Sequence, residues 1–288
     1  MASFYSGNER RIYLDRLVQG CIYLAVMTIC GMFLWMLSDL VRGGFAHLSL
    51  GFLLEPPRDA GRAGGIGSIL VSTLWILLVA LVAALPLAWA TAALLAEYVS
   101  IASRFGMLVR YSLQVLAGVP SIVFGLFGNA FFSIYLGLGF SILSGGLTLA
   151  CMLLPILTST AEAGLRTVPH AYRMSASALG LTRTAALVHL ILPAAAPVLA
   201  AGLLLGIGRA LAETAALLFT SGYVDRMPDS LLDSGRALAL HIFDLSMNVP
   251  GGDMSAYASA LVLVGLLLCI NTLAMKFAYG LQGRRIMT

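Results

Sequence analysis

The chain has 288 residues, of which 60% are hydrophobic and 10% are charged, and its formal net charge is +4. Because soluble domains carry about 25% charged residues, this composition excludes a soluble globule and indicates an integral membrane protein. The few, scattered lysines and arginines also exclude the basic face that nucleic-acid binding requires.

The first predicted helix is Leu17–Ser38, an uncharged run that is long enough to span a bilayer. The core of a signal peptide is only about 7–15 residues long, so we expect this run to remain in the chain as a transmembrane helix. With the outer loop that follows, it forms an N-terminal segment of residues 1–62, ahead of a core of residues 63–288.

Three predicted helices open the core. The second helix, Ile66–Leu95, lies in an uncharged stretch. The next uncharged stretch, Tyr111–Ala161, is too long for one span and about right for two. The glycine-rich segment YLGLGFSILSGG is the expected break between them. The third helix is therefore predicted at about Met107–Ile134 and the fourth at about Ser141–Ala163.

The fifth helix is predicted at about Pro193–Ser221 and the sixth at about Ser255–Tyr279. The uncharged runs do not alternate polar and apolar residues, as the strands of a transmembrane barrel would. The sequence therefore predicts an all-α, polytopic membrane protein with six transmembrane helices.

Basic residues in the predicted loops give the orientation, because lysine and arginine concentrate on the cytoplasmic side of a membrane. Five of them fall on one side, and eleven fall on the side that also holds both chain ends. We therefore expect both termini in the cytoplasm. The eleven are Arg10, Arg11, Arg16, Arg104, Arg110, Arg166, Arg173, Arg183, Lys276, Arg284 and Arg285.

The cytoplasmic loop of about residues 162–192 is predicted to form a helix, a turn and a second helix. Pro169 is well placed to start a short helix, and Gly180 is well placed to end it. Thr182 is a suitable cap for the second helix, which returns to the membrane at Pro193. Such a compact, basic hairpin at the cytoplasmic mouth favours the docking of a soluble partner.

The stretch MSASALGLTRTAALVHLILP resembles the EAA loop of ABC-importer permeases. Gly180, Leu190 and Leu192–Pro193 fit the glycine, the isoleucine and the Leu-Pro of that motif at the right spacing. Ala176 fits its second alanine, whereas Met174 replaces the glutamate and Ser175 the first alanine. In that family the loop is a coupling helix that lies in a groove of the ATPase. The resemblance thus assigns ATPase coupling to Met174, Ser175, Ala176, Gly180, Leu181 and Thr182.

Three further stretches narrow the resemblance to the phosphate-specific permeases, and to the PstA-like more than the PstC-like subunit. They are GGIGSILVSTLWI (Gly64–Ile76), LAGVPSIVFGLFG (Leu116–Gly128) and GRALAETAALLFTSG (Gly208–Gly222). The resemblance implies the type I, MetI-like architecture of ABC-importer permeases, placed in the bacterial inner membrane.

The resemblance also implies partners: a homologous PstC-like permease, two PstB-like ATP-binding subunits and a periplasmic PstS-like phosphate-binding protein. The chain has no GxxxxGKS/T phosphate loop. We therefore expect this chain to bind no cofactor or metal itself, and ATP and magnesium to bind the partner subunits. It would be a transporter subunit without an ATPase site of its own.

Three alternatives stay open at this point. The nearest is import of another oxyanion, such as phosphonate, sulfate or molybdate, because the EAA-type loop does not distinguish among them. An intramembrane enzyme is disfavoured, since the sequence has no HExxH, GxSG or GxGD motif. An ion channel is disfavoured because there is no repeated filter-like segment and the loop would have no use.

Arg209 and Glu213 are charged residues inside the predicted fifth helix. Helical spacing places Arg209 near mid-membrane, where a charge costs about 2.5 to 3.5 kcal/mol. Glu213 would lie one turn away on the same face, where it can pair with Arg209. One interpretation is that the pair only neutralises itself or links two helices. The other assigns both residues to the substrate path, with the guanidinium binding phosphate oxygens in a bidentate manner and Glu213 holding it in place.

Overall fold

The computed structural model describes the backbone of residues 3–283 and the side chains of residues 14–273, 275 and 276. Four of the arginines that support the predicted orientation lie outside the described side chains: Arg10, Arg11, Arg284 and Arg285. The described part is mainly helical, as the sequence predicts.

Within this part the chain forms twelve α-helices and one two-stranded sheet. Three helices continue directly into π-helical turns, α3 at Leu94–Tyr98, α5 at Asn129–Tyr135 and α8 at Leu187–Ile191. The helices are α1 (Ser3–Phe45), α2 (Leu50–Leu54), α3 (Gly67–Ala93), α4 (Arg104–Ala117), α5 (Ser121–Gly128), α6 (Ile142–Thr167), α7 (His170–Ala178), α8 (Arg183–Ala186), α9 (Leu192–Leu211), α10 (Ala215–Leu218), α11 (Leu238–Met247) and α12 (Asp253–Gly283).

Five helical segments of the described residues are long and apolar enough to cross a membrane, and the bent pair of α4 and α5 makes a sixth if it counts as one span. This agrees with the six predicted transmembrane helices. The five segments are Leu14–Phe45, Gly67–Tyr98, Ile142–Thr167, Arg183–Leu211 and Asp253–Leu273.

The core of the bundle forms around α6. In the most apolar part of α6, 67% of the residues are buried. In the corresponding part of α1 the share is 0%, although α1 contacts α12. The partner of α6 is α3, on which Ala80, Ala84 and Ala88 recur every fourth residue and are fully buried. Small residues let two helix backbones approach closely where lipid gives no hydrophobic driving force. The α3–α6 pair is therefore the packed centre that positions the other helices.

The predicted single helix Met107–Ile134 is wrong. The chain bends by 98° between α4 and α5, at Gly118–Pro120. Proline lacks an N–H group and disfavours the helical conformation of the residue before it. The helical path therefore ends at Ala117 and does not continue through Val119. α4 packs on α6, with Arg110 next to Glu162, while α5 packs on α10 and α6.

The fifth predicted helix, Pro193–Ser221, is also wrong in its limits. Its helical path begins already at Arg183, because α8 passes through a π-helical turn into α9. It ends at Leu211, and a break at residues 212–214 separates it from α10. The fourth helix, predicted to end at Ala163, continues as α6 to Thr167. The connecting loop is thus shorter than the predicted residues 162–192.

The bundle has two ends, the loop end and the opposite end. The loop end holds α7, α8 and the π-helical end of α3. The opposite end holds α11 and the small sheet, in which β1 (Pro57–Arg58) pairs antiparallel with β2 (Ala63–Gly64). The sidedness of these two ends in a membrane stays a prediction.

Candidate functional site

Arg209 lies two residues before the end of α9. Its Nη2 atom is 3.9 Å from the sulfur of Met152. Met152 lies ten residues into the 26-residue α6, which is about 15 Å along that helix, so the guanidinium lies at the depth of the middle third of a span. The position of Arg209 relative to a bilayer stays a prediction, which its place beside the middle of α6 favours.

Glu213 does not pair with Arg209, and that part of the prediction is wrong. Because α9 ends at Leu211, Glu213 lies in the break before α10 rather than one helical turn from Arg209. Among the described residues no ion pair within 4.0 Å joins the two side chains. Instead, Glu213 is 7% exposed and its Oε1 accepts a hydrogen bond from the backbone N–H of Ala216 at 3.1 Å. That bond satisfies a free N–H group at the start of α10.

Arg209 and Glu213 nevertheless line the same cavity, which has a volume of about 680 Å³. Its walls come from α6, from α9 and from α12, where Asn271 is a further polar lining residue. Arg209 is exposed to this space. A guanidinium carries five N–H donors, and among the described residues it makes only the weak sulfur contact to Met152. The cavity therefore presents a cation with unused donors at mid-span depth.

The helix-turn-helix predicted at the loop end is present. α7 ends at Ala178, and Gly180 follows with a φ of +72°, which lies in the left-handed region. The N–H groups of Gly180 and Leu181 donate to the carbonyls of Ser177 and Ala176, both at 3.0 Å, which is the Schellman pattern of a helix end. Thr182 caps α8, because its hydroxyl accepts from the N–H of Ala185 at 3.2 Å.

The predicted coupling residues do not all face outward. Met174 is 63% exposed and Leu181 40%, and the side chains of Ser175 and Thr182, with Gly180, are also exposed. Ala176, by contrast, is 1% exposed. It therefore packs α7 against the bundle and does not belong to a surface that a partner could contact directly.

An arginine next to Met174 joins the loop to α3. Arg173 donates to both carboxylate oxygens of Glu97, through Nε at 3.0 Å and Nη2 at 2.6 Å. It also donates to the carbonyls of Val168 at 2.7 Å and Leu165 at 2.9 Å. The hydrogen bond to Glu97 raises the pKa of Arg173, so this charge is retained at any physiological pH. Two of these bonds fix α7 against the π-helical end of α3, and the other two fix it against the end of α6.

A second charged group lies at the same end of the bundle. Glu162, 8% exposed, accepts from Arg110 at 2.9 Å and from Arg166 at 3.0 Å through the same oxygen, Oε1. Both arginines also donate to the carbonyl of Leu95, at 3.3 Å and 2.6 Å. Cations are stabilised at a helix C-terminus, where carbonyls lack partners. This cluster therefore joins α3, α4 and α6.

Sequence reasoning did not single out Glu97, Arg110, Glu162, Arg173 or Asn271. Only Glu162 and Arg166 carry a local signal, since an acidic residue four positions before a basic one pairs on a helix face. Glu97 and Arg173 are 76 positions apart, so no local spacing links them.

Comparison with known proteins gives a match to one family model. Residues 84–287 match the model described as "Binding-protein-dependent transport system inner membrane component". The matched region contains the loop end, both charged clusters and every residue that lines the Arg209 cavity.

Three relatives are similar over much of the chain. A "Probable ABC transporter permease protein YqgI" of Bacillus subtilis is 28% identical over 90% of this chain and 93% of its own length. A "Phosphate transport system permease protein PstA" of Mycobacterium leprae is 32% identical over 85% of this chain and 82% of its own length. A "Phosphate transport system permease protein PstC" of Xylella fastidiosa is 32% identical over 68% of this chain and 67% of its own length.

A solved structure shares the fold. It is described as a bacterial ABC transporter involved in the import of the acidic polysaccharide alginate, and one of its chains matches 92% of this chain and 99% of its own length. The TM-score is 0.59 and the sequence identity is 16%. The architecture of an ABC-importer permease is thus present here.

Proposed function

The chain belongs to the family of binding-protein-dependent transport system inner membrane components, and we propose that its substrate is inorganic phosphate. As a permease subunit of an ABC importer, it is not itself an enzyme. It would form half of the translocation path, beside a homologous PstC-like permease. Two PstB-like subunits would bind ATP and magnesium, and a PstS-like protein would deliver phosphate from the periplasm. Both termini would lie in the cytoplasm.

The relatives support phosphate over other oxyanions. The PstA relative is 32% identical over most of both chains, and the PstC relative reaches the same identity over a smaller share. The chain is therefore proposed to take the PstA-like position in the permease pair, with a PstC-like subunit opposite.

The guanidinium of Arg209 carries the proposal. It faces a cavity of about 680 Å³ at mid-span depth, and no described carboxylate neutralises it within 4.0 Å. Placing an unpaired charge there is costly, so such residues mark ion and substrate pathways. A guanidinium matches two oxygens of a phosphate in a bidentate geometry, which a lysine ammonium cannot reproduce. Transient binding of an anion that has lost water would offset the cost.

The loop end is proposed to dock on the ATPase. Its exposed tip, formed by Met174, Leu179 and Leu181, is apolar, with exposed fractions of 63%, 76% and 40%. A groove in a soluble partner would bury these side chains. Because Met174 replaces the acidic residue of the EAA motif, this contact would rest on apolar burial rather than on a charge at that position.

The test is uptake of labelled phosphate by the complete importer in proteoliposomes, with ATP inside or outside and sulfate or molybdate as competitors. We expect uptake to require both ATP and the binding protein. We also expect excess sulfate or molybdate to leave the uptake unchanged. Inhibition by sulfate or molybdate as strong as by unlabelled phosphate would overturn the substrate assignment.

Variants at Arg209 test its role in the same assay. Arg209→Gln is expected to abolish uptake while assembly with the ATPase is kept, and Arg209→Lys to restore it only partly. Arg226→Gln, a charge loss on an exposed residue of the opposite end, is the matched control. Wild-type uptake by Arg209→Gln would show that the residue is structural, and loss of assembly would support the interpretation that it links helices.

A further inference from the structure

The arrangement of Arg209 and Glu213 raises a physical question. Two opposite charges four residues apart line one cavity and yet form no ion pair within 4.0 Å. One carboxylate oxygen of Glu213, Oε1, is used by the N–H of Ala216. The other, Oε2, receives no hydrogen bond from the described residues. The carboxylate is thus held by the backbone turn with one acceptor left over.

We propose that Arg209 and Glu213 together bind a proton-bearing oxyanion, and that Glu213 is the residue that selects hydrogen phosphate against fully deprotonated oxyanions. This inference rests on the proposed phosphate import and names the form of the substrate. Arg209 donates N–H groups to the unprotonated oxygens. Glu213, with its second oxygen, accepts the P–O–H group of the same anion.

The selectivity follows from donor and acceptor types. A guanidinium can only donate, and an ionised carboxylate can only accept. A ligand that contacts both must therefore carry acceptor oxygens and one O–H donor. Hydrogen phosphate keeps a proton near neutral pH, whereas sulfate keeps none. If sulfate were bound, the carboxylate of Glu213 and a sulfate oxygen would face each other with no proton to form a hydrogen bond. A buried polar group that is left unpaired is the strongest basis for rejecting an analogue.

Asn271 fits this arrangement as the third polar lining group. It enters the cavity from α12, and its amide can donate and accept. It can therefore contact either kind of oxygen and does not select between them. The discrimination is assigned to Glu213 alone, which makes the proposal specific to one residue.

Monofluorophosphate is the probe that isolates the proton. It has the charge of hydrogen phosphate and nearly its shape, but fluorine replaces the hydroxyl. Binding is measured on the purified permease pair with its ATPase and without the binding protein, so that delivery does not impose its own selectivity. Equilibrium dialysis of labelled phosphate, with monofluorophosphate or sulfate as competitor, gives the affinity ratio. In the wild type both competitors are expected to be weaker than unlabelled phosphate by at least about tenfold.

Glu213→Gln is the informative variant. Its amide oxygen can still accept from Ala216 N–H, so the turn is kept, while its NH₂ group can donate to an unprotonated oxygen. The phosphate preference over monofluorophosphate is expected to fall to within about threefold. Glu213→Ala removes the turn contact as well and reports the structural share of the effect. Arg209→Gln is expected to weaken the binding of all three anions, whereas Arg226→Gln is expected to weaken the binding of none of them.

The outcomes separate this inference from the function on which it rests. Equal competition by phosphate and monofluorophosphate in the wild type overturns it, whatever the variants do. An unchanged ratio in a folded Glu213→Gln complex also overturns it. In both cases ATP-driven phosphate uptake by the wild type can stand. Absence of that uptake, with another anion transported, would instead remove the proposed function.

Discussion

The contact between Arg173 and Glu97 sets the position of α7, and it can be removed from either side. The side chains are 24% and 10% exposed, so water screens the pair only in part. Arg173→Met keeps most of the aliphatic length and loses two bonds to Glu97 and two to the carbonyls of Val168 and Leu165. Glu97→Gln keeps the shape of the partner and removes its charge.

The size of the effect follows from this geometry. Removing one partner of a fully buried ion pair costs about 3–5 kcal/mol, while exposed pairs contribute about 0–1 kcal/mol. For a pair that is one quarter exposed on one side, an intermediate loss of about 2–3 kcal/mol is expected for Arg173→Met. Because α7 is a short surface helix, the loss should appear as local opening of α7 rather than global unfolding.

Hydrogen exchange of the α7 amides in the assembled complex measures that local free energy. A loss of about 2–3 kcal/mol corresponds to exchange about 30- to 150-fold faster. Arg183→Met, an exposed arginine in α8, is the control and should stay within about twofold. Combining Arg173→Met with Glu97→Gln gives the coupling energy between these two residues, which is expected to be about 1–2 kcal/mol. A coupling energy below about 0.3 kcal/mol would refute the conclusion that this pair positions the loop.

Gly180→Val introduces a β-branched residue at a φ of +72° and is expected to uncouple ATP hydrolysis from uptake while the protein stays in the membrane. The control is Gly137→Val at the opposite end, where φ is +69° and the space is equally open, and this variant should transport normally. Equal transport by the two variants would count against the coupling role. In a background without native cysteines, thiols at Asp59 and Asp229 should react with an impermeant reagent from outside and a thiol at Leu179 only from inside; the reverse pattern would invert the topology. Burial lowers the pKa of His241 in α11 to about 4, so folding favours the neutral form of its side chain. The free energy of unfolding should be constant above about pH 6.5 and fall by up to roughly 3 kcal/mol toward pH 4. His241→Gln should remove this pH dependence in acid unfolding experiments.

The sequence predicted the regular features of the fold well. Long uncharged runs are set by the thickness of a bilayer, and α3, α6 and α12 lie close to their predicted limits. Gly180 and Thr182 also act as predicted, because glycine in the left-handed region and threonine at a helix start are local chemical signals. Local rules suffice wherever the residues that decide a feature are neighbours in the chain.

The breaks in the helices could be predicted only in part. Pro120 lies within the segment predicted as one helix, and prolines in membrane helices are often tolerated because neighbouring groups satisfy the freed carbonyls. Whether such a residue bends a span slightly or by 98° depends on what packs against it, here α6 and α10. The break after Leu211 has no proline at all, and it is stabilised by the side chain of Glu213 on Ala216.

The break after Leu211 determines whether Glu213 can neutralise Arg209. In a continuous helix Glu213 would neutralise Arg209, and a neutral pair in a cavity has little attraction for an anion. With α9 ending at Leu211, the backbone of α10 uses one oxygen of Glu213, and the guanidinium of Arg209 stays available. The acidic residues at the loop end show the opposite arrangement, since Glu97 and Glu162 are both bonded directly to arginine. The same two residue types therefore make rigid joints where they pair, and they line the proposed anion site where the backbone keeps them apart.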